Sequence, residues 1–290
     1  MTAARALLVN MRPRQWTKNL IVFAPLIFAG QVGVTSSNLR TVAAFVVFCA
    51  LSSAVYIAND LVDLERDRAH ETKRLRPLAA GQLDPRTAVI AMATLAVTSL
   101  MGAFALGVQF GLVSAGYLAL QAAYTFWLKH EVILDVMAIS AGFVLRAFAG
   151  TVVTGLSGSP WLYICAALLA LFLGLAKRRN EITLAEDGAC DHRPCLEHYS
   201  APLIDSMLSA ITASTIVTYA LYTFFSSTGQ RHGYLMLSIP FVVYGLFRYL
   251  YLVHKRNLGG SPEEILLTDK PLIINILLWL AAVGATLYFV

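Results

Sequence analysis

Four oxygen-bearing side chains, Asn59, Asp60, Asp63 and Asp67, fall within one short stretch at the end of an apolar run. On a helix turning about 100° per residue, Asp63, Asp67 and Asp60 lie roughly 40°, 80° and 100° round from Asn59. All four share a face if the helix continues that far. Asp and Asn are poor helix formers, and like charges three and four residues apart repel, so this face calls for a cation. Hard oxygen ligands suit Mg²⁺, which keeps several waters and is completed by substrate phosphates. Calcium would want a sharply turning loop with a central glycine, which this stretch lacks. The plainer reading pairs the acids with Arg66, Arg68 and Lys73 on a solvated helix end.

Directly downstream lies Lys73-Arg74-x-Arg76-Pro77-Leu78-Ala79-Ala80-Gly81. Three cations ahead of a Pro and a Gly make a candidate anion-binding loop. Metal-bridged phosphate on one side and Lys or Arg on the other is a workable clamp for a pyrophosphate leaving group. Arg146 is a third kind of signal. It interrupts an apolar span, where a central Arg costs about 2.5–3.5 kcal/mol even on the mildest scale. It lies more than halfway along that span, a long reach for snorkelling, so a polar cavity and a partner are expected for it. Arg248 sits nearer a span end, where snorkelling suffices.

The elements that must position these residues are membrane helices. Of 290 residues, 58% are hydrophobic and only 13% charged, against roughly 25% charged in soluble domains, and the mean hydropathy is +0.66. Runs of ~20 apolar residues can cross the hydrocarbon core. Nine spans are expected, near 19–34, 39–61, 86–106, 109–127, 132–152, 160–177, 204–226, 234–253 and 271–290. The first carries Pro25 and is expected to tilt or kink. With the N-terminus in the cytoplasm, eighteen of the 22 basic residues fall on the cytoplasmic side, which sets the C-terminus outside. The long polar loops, 62–85, 178–203 and 254–270, then share that side. The same rule explains the net charge of +5 without nucleic acid. The whole chain reads as a single polytopic membrane domain. No cleavable leader is expected, because the first run is too long for a signal peptide core and lacks a small-residue cleavage site.

Cys49 and Cys165 read as small core residues. Cys190, His192, Cys195 and His198 crowd one loop, but their spacing matches no usual zinc pattern. An ordinary reduced cytosolic loop is the expectation there.

Asn-Asp-x-x-Asp-x-x-x-Asp followed by Lys-Arg-x-Arg-Pro-x-x-x-Gly resembles the first signature of the UbiA superfamily of intramembrane prenyltransferases, and the nine spans fit it too. Arg12-Pro-Arg-Gln-Trp-Thr-Lys-Asn19, Leu128-Lys129-His130 and Leu145-Arg146-Ala147-Phe148-Ala149-Gly150 are similar to its decaprenyl-phosphate phosphoribosyltransferase branch. Ordinary members carry a second Asp-rich motif after the sixth span. Here Ala176-Lys177-Arg178-Arg179-Asn180-Glu181 stands there, resembling the Lys-Arg-x-x-Glu of the phosphoribosyl-transferring branch. Asp187-Gly-Ala-Cys-Asp191 satisfies the literal acidic pattern but lies about ten residues past the span, and short patterns of this kind arise by chance.

The resemblance implies an all-α, UbiA-type bundle and a Mg²⁺-dependent transfer of 5-phosphoribose from phosphoribosyl pyrophosphate (PRPP) to a long-chain polyprenyl phosphate such as decaprenyl phosphate. The setting it implies is the bacterial plasma membrane, in lipid-linked arabinose donor and cell-wall precursor synthesis, with the active site facing the cytoplasm. It also implies a metal set of Asn59, Asp60, Asp63 and Asp67, the three acids being catalytic. The substrate contacts implied are Gln15, Lys18, Asn19, Asn59, Lys73, Arg74, Arg76, Lys129, Arg146, Lys177, Arg178 and Glu181. It allows a homo-oligomer. PRPP adds a 5-phosphate and ribose hydroxyls to the diphosphate, so cations in place of acids at the second motif suit this more anionic donor. Two other readings stay open. One is an aromatic prenyltransferase using a polyprenyl pyrophosphate, and the other is a transporter, against which stands the clustering of charge on one face.

Overall fold

The computed structural model describes residues 2–70, 73–186, 198–256, 265–266 and 268–289. Among them every regular element is helical: α1 (Ala3–Asn10), α2 (Ala24–Phe28), α3 (Thr35–Val62), α4 (Leu64–Ala69), α5 (Pro85–Leu106), α6 (Val108–Phe126), α7 (Leu134–Thr154), α8 (Pro160–Glu186), α9 (Ala201–Phe225), α10 (Ser227–Arg231), α11 (Ile239–Arg256) and α12 (Lys270–Phe289). Cys190, His192 and Cys195, with Asp187 and Asp191, lie outside the described residues, as does most of the loop before α12.

Among the described residues seven helices are long and apolar enough to cross a membrane: α3, α5, α7, α8, α9, the stretch Leu235–Lys255 that contains α11, and α12. The chain is a multi-pass membrane protein. The first and fourth of the nine expected spans are not among these seven. Over the first, the chain forms a 3-10 helix at Pro13–Phe23 and then the five-residue α2, which holds Pro25 near its start, where the missing N–H is harmless. Over the fourth, α6 carries Gln109, Ser114, Tyr117, Gln121, Tyr124 and Thr125, which dilute its apolarity.

The chain divides into two compact units. One comprises Met1–Leu26, Val34–Lys129 and Leu145–Leu156; the other comprises Ile27–Gly33, His130–Val144 and Ser157–Val290. In the first unit α3 packs along α5, α5 along α6, and the 3-10 segment against α3. Phe48 meets Phe110 and Tyr117 edge-on, with ring centroids 6.0 and 5.3 Å away, a favourable aromatic geometry. Asp84 caps α5 by accepting from the Thr87 amide at 3.1 Å, and Pro85 fits the first helical turn. A smaller cluster of Ile57, Leu78, Leu83 and Ala88 pins the loop that follows the acidic stretch, and Gly81 closes it at φ +70°, a region only glycine enters freely.

Lipid tails are as apolar as leucine, so helices in a membrane associate through close packing at small residues. Gly150 on α7 is such a point, since a Cβ there would sit 2.1 Å from the Val22 carbonyl oxygen. Gly150→Ala is therefore expected to cost about 1–3 kcal/mol, read as a lowered thermal unfolding midpoint of the purified protein in detergent.

In the second unit α8 packs along α9, and α11 against α12 and α9. Phe172 and Tyr249 meet edge-on at 5.4 Å within its largest apolar cluster. Tyr219 joins three elements by bonding Ser238 at 2.7 Å and accepting from the Trp279 indole at 3.0 Å.

Candidate functional site

The acidic stretch does not continue as one helix. α3 ends at Val62, Asp63 stands between the helices at φ −92°, ψ 10°, and α4 begins at Leu64. Asp63 N still bonds the Asn59 carbonyl at 2.9 Å, and Asp67 N the Asp63 carbonyl at 2.8 Å, so the turn is bent and not lost. An Asp at this point is unsurprising, because its carboxylate suits helix starts better than helix interiors. The bend replaces the expected common face with a division. Asp60 and Asp67 converge, while Asn59 and Asp63 turn to other partners.

Asp60 and Asp67 are 3% and 4% exposed. Arg76 Nη1 lies 3.1 Å from Asp60 Oδ1 and 2.6 Å from Asp67 Oδ2, so a single nitrogen bridges both. Asp60 Oδ1 also takes Arg12 Nη2 at 2.5 Å, and the Arg12 guanidinium lies over the Tyr56 ring at 5.2 Å. Arg12 reaches there from a left-handed backbone, φ 54°, sparsely populated for a residue with a Cβ. Asp63 accepts from Lys129 Nζ at 2.9 Å. Asn59 Oδ1 lies 2.6 Å from the Thr125 hydroxyl. The solvated pairing with Arg66, Arg68 and Lys73 is not what forms: Arg68 bonds Glu65 instead, and the bridged acids are buried.

Among the described residues no three His, Cys, Asp or Glu side chains are placed to cage a metal. Two buried carboxylates that already share one positive atom nevertheless fit Mg²⁺, which needs one or two carboxylates and leaves its other positions to water and phosphate. Asp60 and Asp67 are the pair placed for it.

Around this cluster, Gln15 Oε1 accepts from Lys18 Nζ at 2.6 Å and from Tyr56 OH at 3.3 Å. Lys73 and Arg74 lie on a 3-10 turn, with Arg74 exposed. Asn19 is fully buried; its amide donates to Ser52 Oγ at 3.2 Å, and its oxygen accepts from Arg146 Nε at 2.7 Å. Arg146 Nη2 bonds Tyr117 OH at 2.7 Å, with the guanidinium carbon 4.6 Å above that ring. Arg146 has the partners expected of an intramembrane Arg and does not snorkel. Arg248 does not rely on snorkelling either, because Asp269 holds it in a fork at 3.1 and 2.8 Å.

The second unit holds Lys177, Arg178 and Glu181 on α8. Lys177 is half-buried. Arg178 is enclosed: its Nε meets Asp135 Oδ2 at 2.6 Å, with 1% and 0% of the two side chains exposed, and its Nη1 meets Glu181. Asp135 also accepts from Tyr199 OH at 3.0 Å, and that same oxygen takes the Ile133 amide at 2.7 Å. Burial first, and the neighbouring carboxylate with it, pushes the Tyr199 phenol up to about 12, so it keeps its proton and donates. Ile133 has φ 69°, a true outlier for a β-branched residue, and the Tyr199 bond holds it there.

Sequence reasoning assigned no role to Arg12, Thr125, Asp135, Tyr117 or Tyr199. Asp135 alone carried a usable signal, an acid inside the first turn of an apolar span, where such residues need a named partner.

Residues 19–263 match the model of the UbiA prenyltransferase family. The chain is 36% identical to a protein named decaprenyl-phosphate phosphoribosyltransferase from Mycolicibacterium smegmatis, over 98% of this chain and 92% of that one. It is equally identical to one of the same name from Corynebacterium glutamicum, over 98% and 87%. Among solved structures it is similar to a UbiA homolog from Archaeoglobus fulgidus bound to DMAPP and Mg²⁺, with TM-score 0.75 and 20% identity over 98% of this chain and 99% of that one.

Proposed function

The chain belongs to the UbiA prenyltransferase family, and from that premise we propose that it transfers 5-phosphoribose from PRPP to decaprenyl phosphate, releasing pyrophosphate. What carries this reading is the near full-length likeness to two proteins of that name, taken with Lys177-Arg178-x-x-Glu181 in place of a second acidic motif. The active site faces the cytoplasm of a bacterial plasma membrane in this reading, following the basic residues.

Asp60 and Asp67 would hold the divalent ion, with Asn59 and Asp63 beside them. Bound Mg²⁺ would supply positive charge to the departing pyrophosphate. Arg12, Lys73, Arg74 and Arg76 add further charge as the bond from ribose C1 to the pyrophosphate oxygen breaks. Lys177, with Arg178 and Glu181, holds the 5-phosphate and ribose. The new bond forms between C1 and an oxygen of the prenyl phosphate. That oxygen is already ionised, so no strong general base is needed. The protein's work is positioning and charge stabilisation at an oxocarbenium-like carbon.

The test is purified protein with Mg²⁺, labelled PRPP and decaprenyl phosphate. Lipid-linked label is the expected product. No label with PRPP, together with prenylation of a ring acceptor from a prenyl pyrophosphate, would assign the aromatic reaction instead. Lys177→Ala is expected to lower kcat/KM for PRPP about 10- to 100-fold, the worth of one charge-assisted contact. Parent-like kinetics with PRPP would remove Lys177 from the donor site.

A further inference from the structure

The Thr125 hydroxyl has two close oxygen neighbours, Asn59 Oδ1 at 2.6 Å and the Gln121 carbonyl oxygen at 2.8 Å. A hydroxyl has one proton and two lone pairs, so it cannot donate to both. The Gln121 carbonyl can only accept, and a Thr bonding the carbonyl four residues back is a common helical contact. The other neighbour must then be a donor. A side-chain amide has nearly the same outline either way round, and its oxygen and nitrogen are told apart by their partners. Turned through 180°, Asn59 gives Nδ2–H to Thr125, and the hydroxyl then donates to Gln121 and accepts from Asn59 without conflict. In the unturned form two acceptors compete for one proton, at a hydroxyl whose residue is only 3% exposed.

We infer that Thr125 is a positioning residue: its oxygen accepts from Asn59 Nδ2, which turns Asn59 Oδ1 away from α6 and presents it as a neutral ligand to a divalent cation. An Asn next to the carboxylate of Asp60 then serves a purpose an Asp would not. It adds an oxygen without adding repulsion, but only if something fixes which end faces the ion, and Thr125 does so. The inference rests on the acidic cluster being the divalent site of the proposed function.

The experiment titrates Mn²⁺ alone into purified protein in detergent and reads bound metal by electron paramagnetic resonance. Thr125→Val keeps the shape of the side chain and removes the acceptor. It is expected to weaken Mn²⁺ binding about three- to tenfold. Thr125→Ser, which restores the oxygen and omits the methyl, should return binding to within about twofold of the parent. In an Asn59→Asp background, where both ends are oxygen, Thr125→Val should have an effect below about twofold. The Mg²⁺ concentration for half-maximal transfer should move with Mn²⁺ affinity, while kcat is recovered at saturating Mg²⁺. Thr125→Val binding Mn²⁺ as the parent does would overturn the inference, and so would Thr125→Ser binding as weakly as Thr125→Val. A parent protein with no Mn²⁺ site sensitive to Asp60→Asn would overturn the metal assignment itself, and the role of Thr125 with it.

Discussion

Asp60→Asn should abolish transfer, lowering kcat/KM by at least about 10³-fold. The substitution keeps the shape of the side chain and removes one negative charge from a point where two guanidinium groups meet and where a divalent ion would bind. Asp60 is 3% exposed, and its Oδ1 alone takes both Arg12 and Arg76. The amide would leave Arg12 without its carboxylate and Arg76 with Asp67 alone. It would also offer a divalent ion one anionic ligand where two converge now. Chelation of the parent enzyme with EDTA should give a loss of the same order, restored by added Mg²⁺. The measurement is initial rate of lipid-linked label at varied PRPP, beside the thermal midpoint of each protein. An Asp60→Asn variant that folds and keeps more than a tenth of the parent activity would end the assignment of this cluster to the pyrophosphate.

The largest effect on stability is expected at Asp135→Ala. Asp135 and Arg178 are 0% and 1% exposed and joined at 2.6 Å. Truncating one partner of a buried pair leaves the other charge uncompensated, at a cost of about 3–5 kcal/mol. Three further consequences share the site: Tyr199 loses its acceptor, Glu181 becomes the remaining acid on Arg178, and Ile133 keeps a strained backbone with a looser tether. Denaturant unfolding of the purified protein in mixed micelles measures it. The double variant Asp135→Leu with Arg178→Met should recover most of the lost stability, because an apolar pair of similar volume can replace a buried ion pair. It should not recover activity with PRPP if Arg178 belongs to the donor set. A stable Asp135→Ala would mean that Arg178 finds another counterion and that the pair is not what holds the start of α7 to α8.

The parts of this molecule that were legible in sequence were those with local signatures. Seven of the nine expected spans coincide with long apolar helices because hydropathy is read over a window of neighbours. Asn59, Asp60, Asp63 and Asp67 were readable as one group because helical spacing alone puts them on one face. The bend at Asp63 was not, since the periodicity on either side is helical and only the two helix boundaries reveal the break. Long-range partners were largely invisible. Arg146 announced that it needed a partner, but Asn19 stands 127 residues away. Asp135 and Arg178 are 43 apart, and nothing near either one names the other. Arg76 was read as a ligand for phosphate because it sits in a basic loop, yet in the resting protein it neutralises the acids that precede it.

That last contact bears on biogenesis. A polypeptide leaving the insertion machinery with two buried, unpaired carboxylates would have to capture a metal before it could settle. Arg76, with Arg12, acts as a built-in counterion, so the nascent chain reaches a neutral arrangement from its own sequence. Folding of this cluster then needs no metal, and, on the proposed function, a cell short of magnesium would accumulate enzyme that is assembled and idle.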